Sequence, residues 1–117
     1  MKKHAVERQF RVFYRDYANN VAISSAQPEA LAAGRLAPLA ERLLTERDNF
    51  LGIVDTEDTI LQCYLDDDGN SVALELVFPE AHGCLRQRVP RSQALALLDD
   101  LPDTFDANLL HGAQYID

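Results

Sequence analysis

From Thr59 to Phe78 the chain reads TILQCYLDDDGNSVALELVF, two alternating apolar runs joined by three aspartates, a glycine and an asparagine. This stretch constrains the fold more than any other. A strand has a side-chain period of two, so a slip of one residue turns its whole apolar set toward water. Asp-Gly is a strong signal for a two-residue hairpin turn. With Asp68-Gly69 as that turn, Leu65 faces Val72, Cys63 faces Leu74, Leu61 faces Leu76 and Thr59 faces Phe78. Seven of these eight residues are apolar and all share one face. The opposite face pairs Asp66 with Ser71, Tyr64 with Ala73, Gln62 with Glu75 and Ile60 with Val77. The pattern predicts a hairpin whose apolar side lies against a core.

The same aspartates invite a calcium reading. An EF-hand loop takes acidic ligands at positions 1, 3 and 5, Gly at 6 and Glu at 12. With Gly69 at position 6, Asp66, Asp68 and Glu75 fall into place, but position 1 is Tyr64, which has no carboxylate. The flanks alternate as strands, whereas an EF-hand is flanked by helices. The hairpin is therefore preferred, and no metal site is expected there.

Around this hairpin the period changes along the chain. Phe10, Phe13, Tyr14 and Tyr17 fall at helical spacing, while Phe10, Val12 and Tyr14 also alternate. The β-forming composition and the turn-like Asn19-Asn20 favour two strands, about 8–16 and 20–25. A helical region is expected from Pro28, which suits a first helical turn. Its apolar stripe is Leu31, Ala32, Leu36, Leu39, Leu43 and Leu44, and Gly34 and Pro38 inside it predict a kink or two abutting helices. FLGIV, TILQCYL, SVALELVF and CLRQRV then read as four strands. A short helix starts near Ser92 and stops at Pro102. In the tail, Leu109, Leu110, Tyr115 and Ile116 suggest packing back onto the domain. The result is one α+β domain over 1–117, with a mainly antiparallel sheet of about four to six strands in the order β-β-α-β-β-β-β-α. Its helices are expected on one face.

At 117 residues such a domain buries roughly 65% of its unfolded surface, and folds without metal or disulfide. The net charge is −8, from 19 acidic and 11 basic residues. That sign disfavours nucleic acid and anionic membranes, and points to basic proteins or cationic ligands as charged partners. MKKHAVERQF has no apolar run of the signal-peptide kind, and no segment approaches the roughly 20 apolar residues of a membrane span. A cytoplasmic location is expected, with Cys63 and Cys84 as thiols.

Catalytic constellations are incomplete. His82 and Cys84 stand two residues apart, too far along a strand, about 7 Å, for a direct bond, and no third group orients the imidazole. Zinc prefers four ligands in paired short spacings, which the chain lacks. Arg86, Arg88 and Arg91 form the densest basic group. Arg86 and Arg88 share a strand face and either pair with Glu75 and aspartates across the sheet or hold an anion. No GxGxxG, P-loop, GxSxG or HExxH is present. No catalytic residue, metal or cofactor is expected.

The element order carries one resemblance. VFYRDYANNVAIS leads to a helix. NFLGIVDTEDTILQCYL, the acidic-Gly hairpin, LELVFPE and VPRSQALALL follow. This order resembles small bacterial immunity proteins that neutralise polymorphic or contact-dependent toxins. The resemblance implies a cytoplasmic, non-catalytic protein that binds one toxin domain, and an acidic surface suits a basic toxin through electrostatic steering. The alternatives are an adaptor or regulatory subunit, and an α+β domain with a ligand pocket between sheet and helix. The expected partner-binding residues are Asp55, Glu57 and Asp58 in one turn and Asp66, Asp67 and Asp68 in the next. In a meander these turns lie at opposite ends of the sheet, and the Asp66–Asp68 end is preferred.

Overall fold

The computed structural model describes residues 8–117. In it the predicted hairpin is the middle of one antiparallel sheet. Strands β5 (Ile60–Leu65) and β6 (Ser71–Val77) pair from Ile60 with Val77 through to Leu65 with Val72. This is the register the apolar pattern predicts, and Leu61, Cys63, Val72, Leu74 and Leu76 are all buried.

The turn itself differs from the expected two-residue form. Asp66 N–H donates to Ser71 O at 2.8 Å and Gly69 N–H donates to Asp66 O at 2.9 Å, so residues 67–70 form a wider loop. The Asp68 carboxylate supplies the missing partners, accepting from the Asn70 and Ser71 amides at 2.8 and 2.9 Å. Gly69 has φ 74°, a backbone state that glycine enters without steric cost. The loop is centred on the same residue pair, so the register is unchanged.

The other strands are β1 (Gln9–Asp16), β2 (Val21–Ile23), β3 (Glu29–Ala32), β4 (Phe50–Val54), β7 (Cys84–Pro90) and β8 (Gln114–Ile116). The sheet runs β2-β1-β4-β5-β6-β7-β8, and β3 shares the outer edge of β1 with β2. The fold class is the expected α+β with one mainly antiparallel sheet. Among the described residues the sheet has eight strands rather than four to six, because β3 and β8 are not expected from the sequence. Both are short, edge-bound pieces that alternation cannot reveal.

The first extra strand corrects the expected helix start at Pro28. Glu29–Ala32 pairs with Val12–Gln9 as β3, and its Ala and Leu are held there by the neighbouring strand against their helical preference. The helix α1 spans only Leu36–Leu43, after a short 3-10 turn at Ala33–Arg35. Pro38 is therefore the third helical residue. Its missing N–H falls among the first four, which have no intrahelical acceptor, so of the expected kink or two abutting helices the second form is nearer, with the 3-10 turn running directly into α1. Helix α2 (Arg91–Leu98) lies close to its predicted place.

Both helices cover one face of the sheet. Leu36, Leu39, Ala40, Leu43, Ala94 and Leu98 join Phe10, Val12, Leu51, Ile53 and the hairpin residues in a single core. The tail returns to it as expected, with Leu110 buried and Phe105 stacked on Phe10 at 5.9 Å between ring centres. Tyr115 does not join, and stays 57% exposed on β8. Among the described residues no helix is long and apolar enough to cross a membrane.

Candidate functional site

Among the described residues no helix lies on the second face of the sheet, and its side chains form three rows fixed by the strand register. The first row runs Ala22, Arg15, Phe50, Tyr64, Ala73 and Arg88. The second runs Phe13, Gly52, Gln62, Glu75, Arg86 and Gln114. Arg11, Val54, Ile60, Val77, Cys84 and Ile116 make the third. Ile60, Val77, Cys84 and Ile116 are each partly exposed, giving this row an apolar strip open to solvent.

The arginines of this face are mostly answered by carboxylates, as the cross-strand reading of Arg86 and Arg88 expects. Arg86 Nη2 lies 2.5 Å from Glu75 Oε2, and the Tyr64 hydroxyl donates to the same oxygen at 2.5 Å. Burial, and then the hydrogen bond to Glu75, push the Tyr64 phenol up to about 12. Arg88 pairs with Asp66 at 2.7 Å and Arg11 with Asp58 at 2.9 Å. Arg15 differs. Its guanidinium lies 4.4 Å from the Tyr17 ring centre, it forms no ion pair among the described residues, and its Nε is shielded from solvent with no acceptor. Arg91, the third of the predicted basic group, leaves the sheet and donates to the Glu41 carbonyl on α1.

A shallow cleft of about 430 Å³ opens beside Arg15, lined by Phe13, Phe50, Gln62, Ala22, Ser24 and Ser25. Its origin is in the sequence. Phe13 stands where the edge passes from β2 to β3, so residues 24–28 loop away and leave a gap beside it. Gly52 then allows the Phe13 ring to lie flat, since a Cβ there would meet Phe13 Cζ at 2.0 Å. Phe50 packs edge-on against that ring at 6.3 Å.

The predicted acidic residues fall into two groups, as expected at opposite ends of the sheet. Their environments differ. Asp55 is 2% exposed, so it is not a surface carboxylate. Its Oδ1 accepts from the Glu57 and Thr59 amides at 2.8 and 2.9 Å, and its Oδ2 accepts from the Phe105 amide at 2.7 Å. It closes one turn and ties the tail to it. Glu57 and Asp58 are exposed, with Asp58 at φ 66°. At the far end, Asp66 is held by Arg88, Asp68 is committed to the loop, and Arg47 donates to the Asp67 carbonyl at 2.6 Å. Hydrogen bonds from the Ser71 and Asn70 amides hold the Asp68 carboxyl below the usual carboxylate range. Asp66, Asp67 and Asp68 therefore sit together, but among neutralising partners. Among the described residues no three His, Cys, Asp or Glu side chains converge as a metal site. Cys63 is buried, which pushes its thiol up to about 12 and makes it a core residue.

One acidic group escaped the sequence reading. The segment Asp99 to Asp106 carries four exposed aspartates, and the Asp55–Phe105 bond brings its end to the Glu57–Asp58 turn. The density of aspartate in DDLPDTFD was visible, but its position depends on a buried carboxylate 50 residues away. No family, curated protein or solved structure matches the chain.

Proposed function

We propose that this chain is a non-catalytic protein-binding domain that docks a basic partner against the open sheet face, in the manner of an immunity protein on a toxin domain. One observation carries the reading: the partly exposed strip Ile60–Val77–Cys84–Ile116 lies at an end of the sheet bordered by exposed carboxylates. Glu57 and Asp58 in the β4–β5 turn, Glu80 in the β6–β7 loop and Asp117 after β8 border that row. Asp103, paired with Arg8 at 2.8 Å, and Asp106 flank Phe105, which Asp55 ties to this end. Partners with an apolar centre and a basic rim complement such a surface, with the strip giving burial and the rim steering the approach. The Glu57–Asp58 end is preferred to the Asp66–Asp68 end because the apolar strip borders it; each end holds one arginine–aspartate pair of the open face, Arg11 with Asp58 and Arg88 with Asp66.

The test is capture of partners from native cells with the wild-type chain and with an Ile60→Asp variant, followed by association kinetics on what only the wild type retains. Ile60→Asp should abolish retention. The association rate should fall as salt rises, because screening shortens from about 10 Å at 0.1 M to 3 Å at 1 M. Combined Glu57→Gln, Asp58→Asn and Glu80→Gln changes should lower it further. A rate flat across salt and insensitive to these changes would leave the adaptor reading, in which a partner of no particular charge uses the same strip.

A further inference from the structure

We infer that the cleft between Phe13, Phe50 and Arg15 is a binding site for a monocarboxylate attached to a flat apolar body. Three observations meet there. Arg15 is the one arginine on the open face without a carboxylate among the described residues, while Arg11, Arg86 and Arg88 each have one. Its guanidinium is held in place by the Tyr17 ring, so binding an anion orders little that is not already ordered. Two phenylalanine rings and Ala22 form apolar walls around a volume of about 430 Å³, enough for one small aromatic ring and its substituent.

The polar groups settle the class of ligand. A guanidinium edge binds a carboxylate with two parallel hydrogen bonds. The cleft holds one cation, and a dianion such as a phosphate ester would lack a second on a protein of charge −8. Gln62 and the Ser24–Ser25 loop add polar groups at the rim. The companion cleft on the other side of β1, lined by Tyr14, Arg35, Arg42 and Glu29, carries a carboxylate of its own and has Arg42 3.6 Å from Asp16. It is the built-in comparison site. The open-face cleft does not depend on the protein-docking strip, which occupies the opposite end of the face.

The two sources of such a ligand are a free aryl carboxylic acid and the C-terminal residue of a peptide chain. Titration of the full chain, followed by amide chemical shifts, would use 3-phenylpropionate, its uncharged amide, and the dipeptide acetyl-Gly-Phe with a free or an amidated C-terminus. Saturable shifts are expected at Ser24, Ser25, Arg15, Phe50 and Gln62, with a dissociation constant on the order of 1 mM for so small a probe. The amide should bind at least about tenfold more weakly, and Arg15→Gln should remove the same preference while Arg15→Lys keeps part of it. Tighter binding of the free-ended dipeptide than of 3-phenylpropionate would assign the site to chain ends; the reverse would assign it to small acids. Equal binding of acid and amide, shifts centred on Arg35 and Arg42, or no saturable shift with any probe would overturn the inference. The amide comparison needs no variant, so it stands even if an Arg15 substitution perturbs folding.

Discussion

Gly52 shows how one missing side chain shapes a surface. Phe13 is 7% exposed although no described helix covers its face of the sheet, because it lies on the bare backbone of Gly52 with Phe50 edge-on beside it. Gly52→Ala places a methyl group inside that ring and must turn it out. We expect a loss of about 1–3 kcal/mol in denaturant unfolding, the range for an overpacked site. Most of that loss should vanish when Phe13→Ala is made in the same chain, because the two residues act through one contact. Asp16 gives a pH signature. It is 2% exposed, and the Asn19 side chain holds its carboxyl below the usual range, with Arg42 assisting. A carboxyl depressed in the folded state stabilises it above the ordinary carboxylate pKa, near 3.9, and that contribution is lost as pH falls through the lower folded value. Acid unfolding followed between pH 5 and pH 2 should therefore begin earlier in Asp16→Asn, and the Asp16 carboxyl resonance should titrate below those of exposed aspartates. Neither role was legible in the sequence. Gly52 reads as an ordinary strand residue in FLGIV and Asp16 as the end of the strand expected over 8–16, because each depends on a partner that only the folded chain brings up.

At the scale of elements, legibility followed length and period. Six residues of β5 against seven of β6, with a two-residue period on both arms, left one register that buries the apolar set, and that register formed. The turn type was not encoded in Asp68-Gly69 alone, since the Asp68 side chain competes for the amides that a tighter turn would pair. The region from Pro28 misled for the opposite reason. Ala, Leu and Glu are good helix formers, yet Glu29–Ala32 completes an edge of β1 that would otherwise lie unpaired. The shorter helix that results makes a direct prediction about Pro38. In a helix that began at Pro28, replacing an interior proline would remove a defect worth about 3 kcal/mol. In α1 the residue lies in the first turn, so Pro38→Ala should shift the unfolding free energy by less than about 0.5 kcal/mol. A thermal denaturation pair decides between the two.

Seen whole, the molecule puts its greasy elements on one side of a sheet and leaves the other side to ion pairs, two rings and a strip of aliphatics. That division followed from the one-sided apolar pattern of the hairpin and was expected. The cross-strand pairing of Arg86 and Arg88 was expected too, whereas the buried Asp55 that gathers aspartates at the other end was not, because its bond to the Phe105 amide joins residues 50 apart in the chain. The strand order has a kinetic meaning as well. From β4 to β7 each strand pairs with its successor in the chain, so these contacts close short loops. Joining β1 to β4 pairs Arg11 with Val54 and must close the whole intervening segment with α1 inside it. Short closures form early and long ones late. Leu74→Ala, in the centre of the meander, should cost about 2–5 kcal/mol and slow refolding in stopped-flow measurements. Val12→Ala, on the late-arriving β1, should leave the refolding rate nearly unchanged and quicken unfolding, so that the lifetime of the native state is governed by the departure of its first strand.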